Sequence, residues 1–314
     1  MSVHLPDRTK VYFSDSRSIV ELNMPELPEV EHLCRHLRSH IIGAEVRKVW
    51  LYRPDFIDRG GAERGGPRMS RERRLLKGGV ISKVHRHGKQ FAIEAEDGRV
   101  LSMHLGMSGR VQIPDHDDSI KLEPHTHCVW SLQRASGSCE MRFIDPRRFG
   151  GIWPISSRQK LLSTRWSHLG PDALQISSAD LGKRLKGRSR PLKSALLDQG
   201  IVAGLGNIYV DESLFQAGLN PKQPASTLKA CEIDRLHEVF VGILGKAITL
   251  GGSTVRTWID STGQEGLFTK THQVYGRDGE MCMECGKPLT SDLVAQRQTV
   301  WCTRCQPYRR RKRR

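Results

Sequence analysis

"CMECGKPLTSDLVAQRQTVWCTRCQ", residues 282–306, holds two cysteine pairs of the form C-x2-C, Cys282 with Cys285 and Cys302 with Cys305, with sixteen residues between them. Each pair suits a tight turn, and four thiolates at this spacing close a tetrahedron around zinc; a redox pair or chance clustering is the alternative. One structural ion is expected, because four thiolates leave no coordination position for water. Between the pairs, "VAQRQTVW" (294–301) alternates as a hairpin strand does and pushes Arg297 out of a rigid knuckle. An exposed arginine is ordinarily a solvated charge, but on a basic protein phosphate contact becomes the better reading.

The chain is basic. Its 314 residues carry 50 Lys+Arg against 34 Asp+Glu, a formal net charge of +16, which favours a polyanionic partner or a ribosome-associated or merely basic protein. A hydrophobic content of 37% suffices for real cores in one large domain or two ordinary ones. No stretch approaches the roughly 20 apolar residues of a membrane span, and residues 1–23 lack the apolar centre of a secretory signal, so no membrane association is expected and the chain reads as intracellular. Cys34, Cys128, Cys139 and Cys231 stand singly, consistent with reduced thiols beside one metal site.

Further upstream, "MPELPEVE" (24–31) begins a helix predicted over Leu27–Leu37. Pro28 suits its first turn, Glu29 and Glu31 favour the positive end of its dipole, and Val30, Leu33, Cys34 and Leu37 recur at helical spacing. From Val46 to Trp153, short apolar runs bounded by Gly, Pro and Asp predict six to eight strands of an antiparallel sandwich or barrel. The Gly- and Arg-rich stretch 53–74 among them reads as a surface loop. Residues 155–170 read as a linker, and helical patterns follow at Ser178–Leu185, Leu192–Gln199, Ile208–Ala217 and Ala230–Leu250. In "DQGIVAGLGNIYVDESLFQAGLNP" (198–221) the glycine spacing is wrong for a dinucleotide fingerprint. Helix, double turn, helix is the natural reading, either a plain connection or a phosphate cradle at the helix start aided by Asn207.

Together and in order, "PELPEVE", "HLGMSG", "DPRRFGG", "GLGNIYVDESLFQAGLNP", "VYGRDG" and the four-cysteine stretch resemble the formamidopyrimidine-DNA glycosylase family of bacterial base-excision repair enzymes, from Met24 to about Gln306. The resemblance implies an α+β fold of several domains: a catalytic β-sandwich with a flanking helix (24–154), a linker (155–170), a helix-two-turn-helix domain with a lid loop (171–273) and a zinc-finger hairpin (274–306). A leader (1–23) and a basic tail (307–314) flank them. The tail is expected to attract duplex DNA nonspecifically or to be a disordered end. The leader is expected to come from an over-extended gene start, leaving Pro25 as the first residue.

The resemblance further implies removal of oxidised purines (8-oxoguanine, formamidopyrimidines) from damaged double-stranded DNA, followed by strand cleavage, by a monomer in the bacterial cytoplasm associated with the nucleoid. Pro25 corresponds to the family's nucleophile, and a free secondary amine can attack the sugar C1′ and form an iminium electron sink. Glu26 matches the acid that protonates the deoxyribose ring oxygen. Lys89 matches the lysine of β-elimination and Arg297 the finger arginine of δ-elimination and phosphate binding. Met107, Arg147 and Phe149 match three residues inserted where the base is extruded. His125, Arg188 and Asn207 align with further DNA-contacting positions, and Cys282, Cys285, Cys302 and Cys305 with the zinc ligands.

The chain departs from the pattern near the lid, where Glu265 stands in place of a common proline and Leu267 in place of a common aromatic. The sister enzyme endonuclease VIII, which prefers oxidised pyrimidines, usually has glycine where this chain has Leu27 and lacks the long base-covering loop. A rival of another class is a non-catalytic binder of damaged DNA, favoured if Pro25 remains in a peptide bond. A zinc-dependent transcription factor would explain the charge and the finger but not "PELPEVE" or Lys89.

Overall fold

Apolar side chains at helical spacing, Val30, Leu33, Cys34, Leu37 and Ile41, are fully buried along one face of helix α1 (Leu27–Ile41), and that face is covered by a β-sandwich. The computed structural model describes residues 24–57, 70–114, 122–254 and 263–309. The expectations for the leader, and for the tail beyond Arg309, lie outside these residues.

After α1 the described chain runs through β1 (Glu45–Leu51), a short helix α2 (Arg71–Arg74), β2 (Ile81–His87), β3 (Gln90–Ala95) and β4 (Val100–His104). It continues through β5 (Arg110–Gln112), β6 (Thr126–Arg134), β7 (Gly137–Ile144) and β8 (Gly151–Ile155). These strands form two four-stranded antiparallel sheets, ordered β1-β6-β7-β5 and β2-β3-β4-β8. The sequence left open sandwich or barrel; it is a sandwich, with Phe91, Met103, Trp130, Met141 and Phe143 in its core.

The stretch read as a surface loop, 53–74, carries short helical elements at both of its described ends, and residues 58–69 lie outside the described residues. Pro54–Phe56 make a single 3-10 turn whose Phe56 is fully buried, stacked on His127 at 4.4 Å and tilted against Phe143 at 5.2 Å. At the other end, Ser70 caps α2 by accepting the Arg73 N–H at 3.3 Å. One aromatic among arginines was enough to draw the chain inward, because burying a phenylalanine outweighs the polarity of its neighbours.

Residues 155–170 contain α3 (Arg158–Ser163), whose Leu161 is buried with Trp166 against Ala92, Val100 and Ile155 on the outer face of the second sheet. The helices α4 (Ser178–Leu185), α5 (Leu192–Leu196), α6 (Asn207–Gln216) and α7 (Ala230–Thr249) then surround a second core that contains Leu205, Tyr209, Leu214, Phe240 and Leu244. The hairpin β9 (Thr290–Val294) and β10 (Arg297–Trp301) closes the described chain. Among the described residues, no helix is long and apolar enough to cross a membrane.

A buried ion pair ties the sandwich to the helical domain. Arg86 on β2 donates to both carboxylate oxygens of Asp172, at 2.5 and 3.0 Å, and to Glu31 of α1 at 2.7 Å, while Asp172 also accepts the Gly88 N–H at 2.7 Å. Removing one partner of such a pair strands a buried charge, so Asp172→Ala is expected to lower unfolding free energy by about 3–5 kcal/mol in urea melts. A loss below about 1 kcal/mol would place this pair with weak surface bridges.

Candidate active site

Three backbone segments meet at the amino end of α1: the turn between β2 and β3, the start of α1 itself, and the turn leading into α6. Leu27 donates its N–H to Gly204 O at 3.2 Å. At Gly204, whose φ is +117°, an added Cβ would lie 2.4 Å from the Leu27 side chain. Gly206, the residue before α6, has ordinary extended angles, so its importance is space. A Cβ there would fall 2.2 Å from Glu26 Cδ and 2.4 Å from Lys89 Nζ. The carboxyl of Glu26 and the ammonium of Lys89 are thus packed onto the same glycine.

Glu26 is 3% exposed, and Pro25 beside it is also buried. Its Oε1 accepts the Ile208 N–H at 3.1 Å, so the chain's own carboxylate occupies the helix start read from sequence as a phosphate cradle. Burial lifts its pKa to about 7, with Lys89 pulling it down and the charge of Glu29 pushing it further up. Lys89 is lowered by burial, an effect opposed by Glu26 and Glu29 and reinforced by Arg297. The site therefore holds a carboxyl poised between protonated and ionised at neutral pH, the condition for a general acid, beside an amine easier to deprotonate than a free lysine.

Arg297 reaches this centre from the finger. The hairpin turns at Ala295 and Gln296, which adopt φ values of +52° and +58°, so Arg297 opens the second strand opposite Val294 and is exposed. Its strand is fixed to the helices by groups that composition alone concealed. Lys193 is fully buried, ion-paired with Asp211 at 2.8 Å, and donates to Gln298 O at 2.9 Å, while Asp211 accepts the Val300 N–H at 3.2 Å. Asn207 is turned to the same carbonyl, its Nδ2 3.1 Å from Gln298 O. A lysine reads from sequence as surface charge, so Lys193 gave no signal. The helical period across α5 does not mark it either, because Leu192, Ala195 and Leu196 make the face that the period predicts as buried and residue 193 falls about 100° around the helix from Leu192.

The sulfurs of the four cysteines all lie within 4.8 Å of one another, Cys282 to Cys305 at 3.9 Å and Cys285 to Cys302 at 3.5 Å. A zinc tetrathiolate with bonds of about 2.3 Å has sulfur–sulfur edges of about 3.8 Å, so this donor set fits zinc. Among the described residues, no other group of three or more His, Cys, Asp or Glu could hold a metal ion.

A second constellation sits on two loops of the sandwich. Met107 follows β4, whose last residue His104 pairs with Gln90, the neighbour of Lys89. Arg147 and Phe149 lie on the β7–β8 loop; both are exposed, with the guanidinium 4.9 Å from the centre of the Phe149 ring. Buried Asp145 fastens the loops together by accepting from Ser108 Oγ at 2.5 Å and Gly150 N at 2.8 Å, while Ser108 Oγ accepts the Arg147 N–H at 3.1 Å. Asp145 and Ser108 were not singled out from sequence, although both lie inside quoted motifs. His125 is exposed at the edge of this region with φ +68°, and its carbonyl accepts the Asp145 N–H at 3.1 Å. Arg188 is exposed after α4, its Nε donating to Arg184 O at 2.7 Å.

Comparisons with known proteins cover these same regions. Residues 24–152 match the formamidopyrimidine-DNA glycosylase N-terminal domain, 169–258 the H2TH domain of that glycosylase, and 279–307 a zinc finger found in FPG and IleRS. The formamidopyrimidine-DNA glycosylase of Geobacillus kaustophilus is 40% identical over 285 residues, covering 90% of this chain and all of that protein. Among solved structures, the MutM (FPG) protein of Thermus thermophilus is 34% identical with a TM-score of 0.76, covering 91% of this chain and 100% of its own. A point mutant of the Lactococcus lactis FPG, complexed with Fapy-dG-containing DNA, is 31% identical with a TM-score of 0.78, covering 90% and 100%.

Metal analysis of the purified chain is expected to give about one zinc per molecule, and Cys285→Ser to lose it and expose the finger to proteolysis at Arg297. A metal-free chain with a protease-resistant hairpin would contradict the zinc assignment.

Proposed function

Because this chain belongs to the formamidopyrimidine-DNA glycosylase family, we propose that it excises oxidised purines from damaged duplex DNA and cleaves the strand at the resulting abasic site. It is a base-excision repair glycosylase with lyase activity, and it carries one structural zinc. The observation that carries the assignment of roles is the Glu26 carboxyl, set beside Lys89 against the start of α6 and directly following Pro25.

Pro25 is the nucleophile. Its nitrogen can attack only as a free amine, so the acting form begins at Pro25, and an α-amino group loses its proton far more readily than an ordinary lysine. Attack at the sugar C1′ displaces the damaged base. Glu26, protonated in a large fraction of molecules at neutral pH, donates its proton to the ring oxygen as the C1′–O bond breaks, leaving an iminium on Pro25. The iminium withdraws electrons so that a C2′ proton can leave and the 3′ phosphate depart. Lys89, lowered by burial, is suited to assist that step, and Arg297 the second elimination that releases the 5′ phosphate. The product is a one-nucleotide gap with phosphates at both ends.

Met107 and Phe149 supply apolar surface to fill the space left by an extruded base, and Arg147 pairs with the orphaned cytosine. His125 and Arg188 contact the phosphate backbone. Asn207 acts by fixing the finger strand to α6. Four thiolates hold the zinc, which keeps the hairpin rigid and takes no part in the chemistry. The enzyme acts as a monomer in the bacterial cytoplasm, on the nucleoid.

Borohydride added during reaction with 8-oxoguanine opposite cytosine is expected to trap a covalent adduct whose mass maps to the nitrogen of Pro25. An adduct on Lys89, or one formed equally well when Pro25 is internal, would reassign the nucleophile. Preference for thymine glycol would reassign the lesion class. Gly206→Ala leaves the backbone unstrained but pushes Glu26 and Lys89 aside, so it is expected to slow excision about 100-fold, with an overpacking cost to stability of about 1–3 kcal/mol that leaves the chain folded at the assay temperature. Full activity in that variant would show that their packing is not needed.

A further inference from the structure

Behind Glu26 runs a line of buried polar groups that the chemistry above does not use. Glu29 Oε2 accepts the Glu26 N–H at 2.8 Å, and Glu29 Oε1 accepts both the Tyr209 hydroxyl at 2.5 Å and the Ser253 N–H at 2.7 Å. The Tyr209 oxygen lies 3.3 Å from Ser253 Oγ, which in turn lies 3.2 Å from His272 Nε2. Tyr209, Glu29, Ser253 and His272 are all buried.

The direction of each bond follows from the one before. A carboxylate taking two backbone N–H groups accepts the tyrosine proton, so the Tyr209 oxygen must accept from Ser253. The serine has then donated its only proton and must accept from His272, which fixes the imidazole proton on Nε2. Burial holds His272 down at about 4, so the ring is neutral, and the Phe268 and Tyr275 rings meet it edge-on at 5.7 and 5.5 Å. The line ends on a rigid footing: Ser253 bridges Leu267, Phe268 donates its N–H to Gly252 O at 3.0 Å, and Gly266 donates to Thr254 Oγ1 at 2.7 Å.

We propose that Tyr209 and His272 are positioning residues for base excision, holding Glu29, and through it the backbone of Glu26, in the pose from which the Glu26 carboxyl reaches the sugar. The proposal rests on the reading of Glu26 as the acid at the ring oxygen. Two steps of the reaction then respond differently. Releasing a base from an intact nucleotide requires that ring to open with a proton delivered to its oxygen. A preformed abasic site already equilibrates with its open-chain aldehyde, which condenses with the Pro25 amine and loses water without that delivery. A displaced Glu26 therefore impairs excision far more than cleavage of an abasic site.

The test compares single-turnover rates on two duplexes identical except that one carries 8-oxoguanine and the other a preformed abasic site. Tyr209→Phe and His272→Leu are expected to lose about 10- to 100-fold on the lesion yet stay within about twofold of the parent on the abasic duplex. His272→Gln, whose amide N–H can still reach Ser253, is expected to recover most of the excision rate. Equal losses on both duplexes, no loss on either, or no recovery with glutamine would overturn the proposal, because each is what a merely structural role or none predicts. The parent in every comparison is the form that begins at Pro25; if that form leaves the lesion untouched the proposed excision activity fails, and if its Glu26→Gln variant excises as fast as the parent the assignment of Glu26 fails, and in either case this proposal falls with it.

Discussion

A single buried carboxyl, Glu26, governs the arrangement of this protein. It sits where three segments of chain converge, takes the Ile208 N–H at the start of α6, and shares the surface of Gly206 with the Lys89 ammonium. A carboxylate removed from water is costly unless hydrogen bonds and countercharges replace what it loses. The helix start and Lys89 supply part of that replacement, and Glu29 opposes it, so the acid is held near neutrality and neither fully ionised nor fully protonated. Glu26 and Glu29 share the start of α1, but Lys89 comes from the β2–β3 turn and the Ile208 N–H from the start of α6, so the arrangement exists only when the sandwich and the helical domain are docked.

Much of the remaining polar structure keeps that docking in register. Arg86 and Asp172 lock the β2–β3 turn, and hence Lys89, to the helical domain. Lys193 and Asp211 anchor the finger strand that carries Arg297. Asp145 and Ser108 fasten the loops of Met107, Arg147 and Phe149. Buried pairs of this kind often add little net stability compared with apolar packing, but they accept only one geometry. That suits a site proposed to bring an amine, an acid and a wedge to a nucleotide at fixed distances.

The sequence was most legible where chemistry forces spacing. The cysteine pairs announced zinc, the helical period of Val30, Leu33, Cys34 and Leu37 announced α1, and alternating apolar runs announced the sheets. It was least legible where a residue acts against its type. Lys193 is a lysine without exposed surface, and Phe56 is a core residue inside a Gly- and Arg-rich stretch. Glu29 reads as a helix-dipole residue, whereas its three donors come from Glu26, Tyr209 and Ser253, the last two far away in sequence. The helix start at Gly206 was visible as a place for an anion, but that the anion would be the chain's own Glu26 is a tertiary fact. No local pattern could contain it.

The most direct test of this account is the titration of Glu26 itself, followed by carboxyl carbon resonances in protein labelled at glutamate and assigned by difference from Glu26→Gln. A midpoint near 7 is expected. A midpoint at the ordinary glutamate value of 4.5 would mean that the carboxyl is solvated and ionised at neutral pH, and the site would then have no acid where its architecture requires one.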